Sequence, residues 1–147
     1  MDEQIPSALA QVARLMRRDF DARARSIGVT RPQWQVLALV NRNEGINQGG
    51  LAELIEVEPI TVARMVDRLQ DSSLIERRSD PADRRAWKLF LTDKGRGLLR
   101  ELQPHGAAMA QHMLEGLSTE ERAQFSGLLE RMRANLTRQP VEGSIGG

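Results

Sequence analysis

Thr61, Arg64 and Arg68 stand at i, i+3 and i+7, so they share one face of any helix that contains them. Val62, Val66 and Leu69 recur at i, i+4 and i+7 on a different face, and Pro59 suits a first helical position. The pattern predicts an amphipathic helix with one buried side and one cationic side. A short hydroxyl near the N-terminus followed by arginines is what a helix needs to read a major groove. Threonine reaches a phosphate or base edge, and arginine forks onto a guanine. The plainer alternative is the solvated face of an ordinary helix.

A second constellation follows at once. Arg77, Arg78, Arg84, Arg85 and Lys88 are opposed only by Asp80 and Asp83. Leu74-Ile75 and the residues up to Arg78 suit a short strand. Trp87, Leu89 and Leu91 alternate with Lys88 and Phe90, with the turn formers Ser79-Asp-Pro-Ala-Asp in between. The spacing predicts a β-hairpin with an arginine-rich tip, which suits a narrow, electronegative minor groove. Asp83, an acid in a basic tip, is expected to hold Arg84 or Arg85 in position. A solvated charged turn is the competing reading. Helix and hairpin together predict a winged helix-turn-helix.

Other chemistry finds little support. His105 and His112 are seven residues apart, about 10 Å along a helix, too far to share a metal within one chain. A metal site would need His and carboxylates from two chains. The sequence contains neither Gly-x-Ser-x-Gly nor Gly-x-x-x-x-Gly-Lys, so an enzyme is not expected, and neither is a cofactor or a metal. Cysteine is absent, which excludes disulfides, thiolate metal sites and a cysteine redox switch. The 147 residues suffice for one domain with a real core, and the formal net charge is only +1. Any case for a nucleic-acid partner is therefore local. Lys88 and Lys94 are the only lysines; arginine favours phosphate and guanine, but GC-rich coding DNA gives the same bias. No apolar run approaches the ~18 residues of a membrane span. Met-Asp-Glu-Gln lacks the features of a signal peptide, so a cytoplasmic protein is expected.

The elements that must position these residues are mostly helical. Ser7 is expected to cap a first helix to about Ser26, ended by Gly28. Thr30 and Gln33 form a capping box for a second helix to about Arg42, with Pro32 in its first turn and Glu44-Gly45 as the break. Asn47 caps a third, Gln48 to about Glu56, and Val57-Glu58 turns into the Thr61 helix. Gly49 and Gly50 permit close approach of a DNA backbone, or are simply tolerated near a terminus. Thr92 is expected to cap a fifth helix that Pro104 kinks or interrupts, and Ser118 with Glu121 boxes a sixth. Residues 139–147, with Pro140 and three glycines, read as a disordered tail. The fold expected is mainly α with a small β-hairpin wing.

Asp83-Arg-Arg-Ala-Trp-Lys-Leu-Phe-Leu-Thr92 matches the wing pattern D-x-R-x-x-x-x-x-L-T and resembles the MarR family of bacterial transcriptional regulators. Asp80-Pro81, Gly95, Gln33-Trp-Gln-Val-Leu, Gln48-Gly-Gly-Leu-Ala-Glu-Leu and Thr61-x-x-Arg64 fit the same frame, which covers about residues 8–137. Ser73 departs from it, standing where the family usually has glycine after the recognition helix. Either a left-handed helix end there costs strain with serine, or the helix ends differently.

The resemblance implies one MarR-type domain over 1–138. Its DNA-binding lobe is 30–92, and the dimerisation helices lie in 7–27 and 93–138. Apolar stripes in the terminal helices point the same way, since short helices seldom stand alone in water; an intramolecular bundle is the alternative. DNA contacts are then expected from Thr61, Arg64 and Arg68 in the major groove and Arg85 with Arg84 in the minor groove. Gln48 and Lys88 are expected at phosphates. The resemblance further implies a small aromatic acid or phenol bound near Arg14, Arg17, Phe20, Trp34 and Leu37, weakening the hold on DNA. Core packing of Trp34 and surface ion pairs for the arginines are the competing roles. The expected function is a homodimeric repressor of near-palindromic operators; the alternatives are a protein-binding winged helix or an effector-independent regulator.

Overall fold

A computed structural model describes residues 1–138, apart from the side chains of 84 and 85. The expected tail, 139–147, lies outside the described residues. The order is α1 (Gln4–Ser26), α2 (Arg31–Arg42), α3 (Gln48–Ile55), α4 (Pro59–Asp71), β1 (Ile75–Asp80), β2 (Asp83–Leu91), α5 (Asp93–Met113) and α6 (Thr119–Thr137). The chain falls into two compact units, one from Met1 to Ala110 and a second beginning at Gln111. Among the described residues no helix is long and apolar enough to cross a membrane.

The core of the first unit is built by periodicity. Val36, Leu37 and Val40 of α2 meet Leu51 of α3, Val62, Val66 and Leu69 of α4, and Ile75, Leu89 and Leu91 of the hairpin, all essentially inaccessible to solvent. Each lies on the apolar stripe of its element, and burying a side chain of this size contributes about 1.5–3 kcal/mol. A smaller cluster joins Ala24, Val29 and Leu102, with Phe20 and Trp34 packed against it. The segment after α2 extends the sheet: the Gly45 N–H donates to the Leu89 carbonyl and the Leu89 N–H to that of Ile46, each at 2.9 Å. Asn47 then bridges Lys88.

Helix ends follow their caps, with two corrections. Gln33 accepts the Thr30 N–H at 2.9 Å, Asn47 accepts that of Gly50 at 2.7 Å, and Ser118 and Glu121 close their reciprocal box. Gly28 (φ +80°) turns the chain out of α1, and the Val29 N–H closes onto the Ala24 carbonyl. But α1 starts at Gln4, not after Ser7, and has no side-chain cap. Likewise α5 runs through Pro104 without interruption. The ring costs one intrahelical bond there, and flanking turns on both sides hold the helix.

Ser73 has φ +60°, the left-handed conformation that glycine adopts freely. Its N–H donates to the Gln70 carbonyl at 2.9 Å and that of Leu74 to Leu69 at 2.8 Å, a complete Schellman end for α4. The start of α5 grips this end. The Thr92 hydroxyl donates to the Ser73 carbonyl at 2.6 Å and accepts the Gly95 N–H at 3.0 Å, while Lys94 Nζ donates to the Ser72 carbonyl at 2.9 Å. All the bonds at Ser73 use backbone atoms, so Ser73→Gly keeps them and removes the strain. We expect it to stabilise the fold by about 1 kcal/mol, raising Tm by about 3 °C. A calorimetric Tm at or below wild type would show that the backbone entropy lost by glycine outweighs the strain relieved.

Candidate nucleic-acid interface

Helix α4 presents two opposite surfaces. Val62, Val66 and Leu69 are buried, and Thr61, Arg64 and Arg68 are exposed. Helix α3 precedes α4 through a tight turn in which Glu56 is left-handed at φ +61°. Gln48 opens α3 and is half-buried.

The hairpin pairs antiparallel from Ile75↔Leu91 to Ser79↔Trp87, then shifts register to Asp80↔Asp83. The strands therefore reach further than their turn formers suggested, and only Pro81 and Ala82 remain at the tip. Asp80 stabilises it by accepting the Ala82 N–H at 2.9 Å. The register shift lies between Ser79 and Asp80, an irregularity of the β-bulge kind that is common beside functional sites. Asp83 is exposed and lies in the strand pair nearest the tip. On the outer face Arg78 stacks over the Phe90 ring, 4.1 Å from its centroid, and pairs with Glu76. Lys88 is half-buried beside Asn47. Trp87, absent from the DNA-contact set read from sequence, is half-exposed and lines a shallow groove with Gln48, Gln70 and Arg77.

A second feature lies away from this surface. Phe20 and Trp34 meet edge to face, with centroids 4.9 Å apart, and form one wall of a cavity of about 680 Å³. Leu99 and Leu102 add apolar wall, and Arg42, Arg96 and Arg100 add cations. Of the five residues that sequence suggested for a ligand, two line this cavity. Leu37 is wholly in the core, and Arg14 and Arg17 are exposed on α1 outside the lining. The three cations were missed because they come from helices far apart in sequence. Arg96 already pairs with Asp93 at 3.0 Å and Glu44 at 3.3 Å.

Trp34 is held from behind. Its Nε1–H donates to Asp21 Oδ1 at 2.8 Å, and Arg31 pairs with the other carboxylate oxygen. Burial works to raise the Asp21 carboxyl. The hydrogen bonds from Arg31 and Trp34, with the charges of Arg31 and Arg25, outweigh it and hold the group below its ordinary range.

The model of the MarR family matches residues 29–87. An uncharacterized HTH-type transcriptional regulator of Bacillus subtilis (strain 168), YybA, is 31% identical over 130 residues, spanning 88% of this chain and 87% of that protein. Among solved structures, a MarR transcriptional regulator from Methanosarcina mazei Go1 superposes with a TM-score of 0.79 at 26% identity, covering 90% of this chain and 96% of its own. The transcriptional regulator SlyA gives 0.74 at 30% identity, covering 90% and 93%.

Proposed function

The chain belongs to the MarR family of DNA-binding transcriptional regulators, and from that premise we propose that it is a homodimeric repressor released from its operator by a small aromatic or phenolic acid. The observation that carries the reading is the two-sided α4, whose exposed Thr61, Arg64 and Arg68 stand opposite a fully buried stripe. In this reading α4 enters the major groove, Arg85 with Arg84 enters the minor groove, and Asp83 orients them. Gln48 and Lys88 take phosphates. The DNA-binding lobe is 30–92 within a single domain of 1–138, in a cytoplasmic protein.

Dimerisation is supported by apolar surface. Ile5, Leu9, Val12 and Leu15 are exposed on α1, and Phe125, Leu128, Leu129 and Leu136 on α6. Two-fold pairing through 7–27 and 93–138 covers such faces. It also sets two recognition helices about one DNA turn, roughly 34 Å, apart.

The effector reading is supported by the cavity of about 680 Å³, a size suited to a drug-sized ligand. Phe20 and Trp34 offer aromatic faces, and Arg42 or Arg100 offers a partner for a carboxylate. The effector acts by favouring a spacing of recognition helices that misfits the operator.

Selection of bound sequences from random duplex DNA at near-physiological salt tests the proposal. The expected result is a near-palindrome with half-sites about one turn apart, lost when a phenolic acid is added. Enrichment of an unpaired half-site overturns the dimer, and enrichment indifferent to phenolic acids overturns the effector.

A further inference from the structure

Arg77 reads in the sequence as one more cation of the wing. In the fold its guanidinium turns inward, and the side chain is only 18% exposed. It lies on β1, two residues from the buried Ile75 and so on the same strand face. Its Nε donates to Gln48 Oε1 at 2.8 Å, at the first residue of α3. Its Nη1 donates to Gln70 Oε1 at 2.6 Å. Its Nη2 sits 2.6 Å from Asp67 Oδ1 and donates to the Ala63 carbonyl at 3.4 Å. Ala63, Asp67 and Gln70 follow one another at i, i+4 and i+7, so the fork grips one side of α4 over two turns.

We infer that Arg77 is a positioning residue that fixes the wing against the recognition helix, and that it does not itself contact DNA. Three physical points carry this. All three guanidinium nitrogens are engaged, by partners on two different helices, and a planar fork holds such partners at fixed angles where a lysine ammonium cannot. Asp67 neutralises its charge locally, so little is left for counterion release at a phosphate. Arginine has only donors, so both glutamines must turn Oε1 toward it, which places the Nε2 donor of each on the far branch of its amide. Gln48 is thereby set as a donor, the role a phosphate contact needs.

The inference rests on the reading that the wing touches DNA, and the test separates the two. Operator affinity is measured by anisotropy across a salt series for wild type, Arg77→Lys, Arg77→Met, Arg85→Ala and the double variant Arg77→Met/Arg85→Ala. Hydroxyl-radical footprints of each complex are taken alongside. Arg77→Lys and Arg77→Met are both expected to weaken binding about tenfold, and the double variant to be little weaker than Arg85→Ala alone. Protection at the outer minor grooves should vanish while the central major-groove contacts persist. Near wild-type binding by Arg77→Lys, with a salt slope about one smaller for Arg77→Met, would instead make Arg77 a phosphate contact. Additive losses would overturn the inference too. If Arg85→Ala changes nothing, the wing reading fails by itself, and a loss in Arg77→Met then belongs to α3 and α4 alone, which also overturns the inference. Gln70→Leu removes one acceptor at an exposed site, so it covers the case in which Arg77→Met unfolds. It should reproduce the loss of flank protection, and an unchanged footprint counts against the proposal.

Discussion

Gly95→Ala is expected to lower the free energy of unfolding by about 2–3 kcal/mol. A Cβ at Gly95 would fall 2.2 Å from the Leu74 carbonyl oxygen and 3.2 Å from its carbon, and both are backbone atoms that no rotamer change can move. Leu74 is fixed from two sides. Its N–H donates to the Leu69 carbonyl at 2.8 Å, and its own carbonyl accepts the Thr92 N–H at 3.2 Å. Relief must therefore open the joint between α4 and α5, with loss of the Thr92 cap. Gly97→Ala is the internal control. Its added carbon meets nothing closer than the end of the Arg100 side chain at 3.8 Å, so helix propensity should raise stability by about 0.5–1 kcal/mol. Denaturant titrations followed by circular dichroism check both signs. A Gly95→Ala protein as stable as wild type would mean that the first turn of α5 can move without cost.

On the proposed function, Arg85→Ala is expected to weaken operator binding by about 2 kcal/mol, roughly thirtyfold, with the mass of the protein in solution unchanged. The residue lies in β2, close to the hairpin tip. If the wing enters the minor groove as proposed, the substitution removes one cation there and leaves folding untouched. Anisotropy with the selected operator, and light scattering for mass, separate the two effects. Equal affinity for mutant and wild type would remove the wing from the mechanism.

Much of this was legible in the sequence because it is written locally. Thr30 with Gln33, Asn47, and Ser118 with Glu121 mark helix starts by side chains that reach only three residues ahead. The stripe Val62, Val66, Leu69 marks the buried side of α4 by period alone. At Ser73 the sequence left a strained left-handed end and a different helix end both open, and the positive φ decides for the first. What escaped is non-local. Ser79 and Asp80 look like turn residues, yet pairing with Trp87 and Asp83 draws them into the ladder, so cross-strand bonding overrides turn propensity. Helix α1 starts before Ser7 with no side-chain signal to mark it. Arg77 finds partners 7, 10, 14 and 29 residues away, and Arg42, Arg96 and Arg100 meet only because α2 and α5 pack together around the small cluster. No periodicity encodes such meetings.

The two tryptophans divide the molecule's near-ultraviolet emission between its two surfaces. The chain has no tyrosine, so excitation at the red edge of protein absorption reaches only Trp34, on the cavity wall, and Trp87, in the groove beside α3 and α4. Trp34 is tied to a carboxylate and faces Phe20, whereas Trp87 is half-exposed, so their emission should differ in colour and in access to quencher. A protein carrying Trp87→Phe then reports occupancy of the cavity, and one carrying Trp34→Phe reports engagement of the wing. The proposed ligand and DNA binding would thus give separate optical signals, without a dye on the protein.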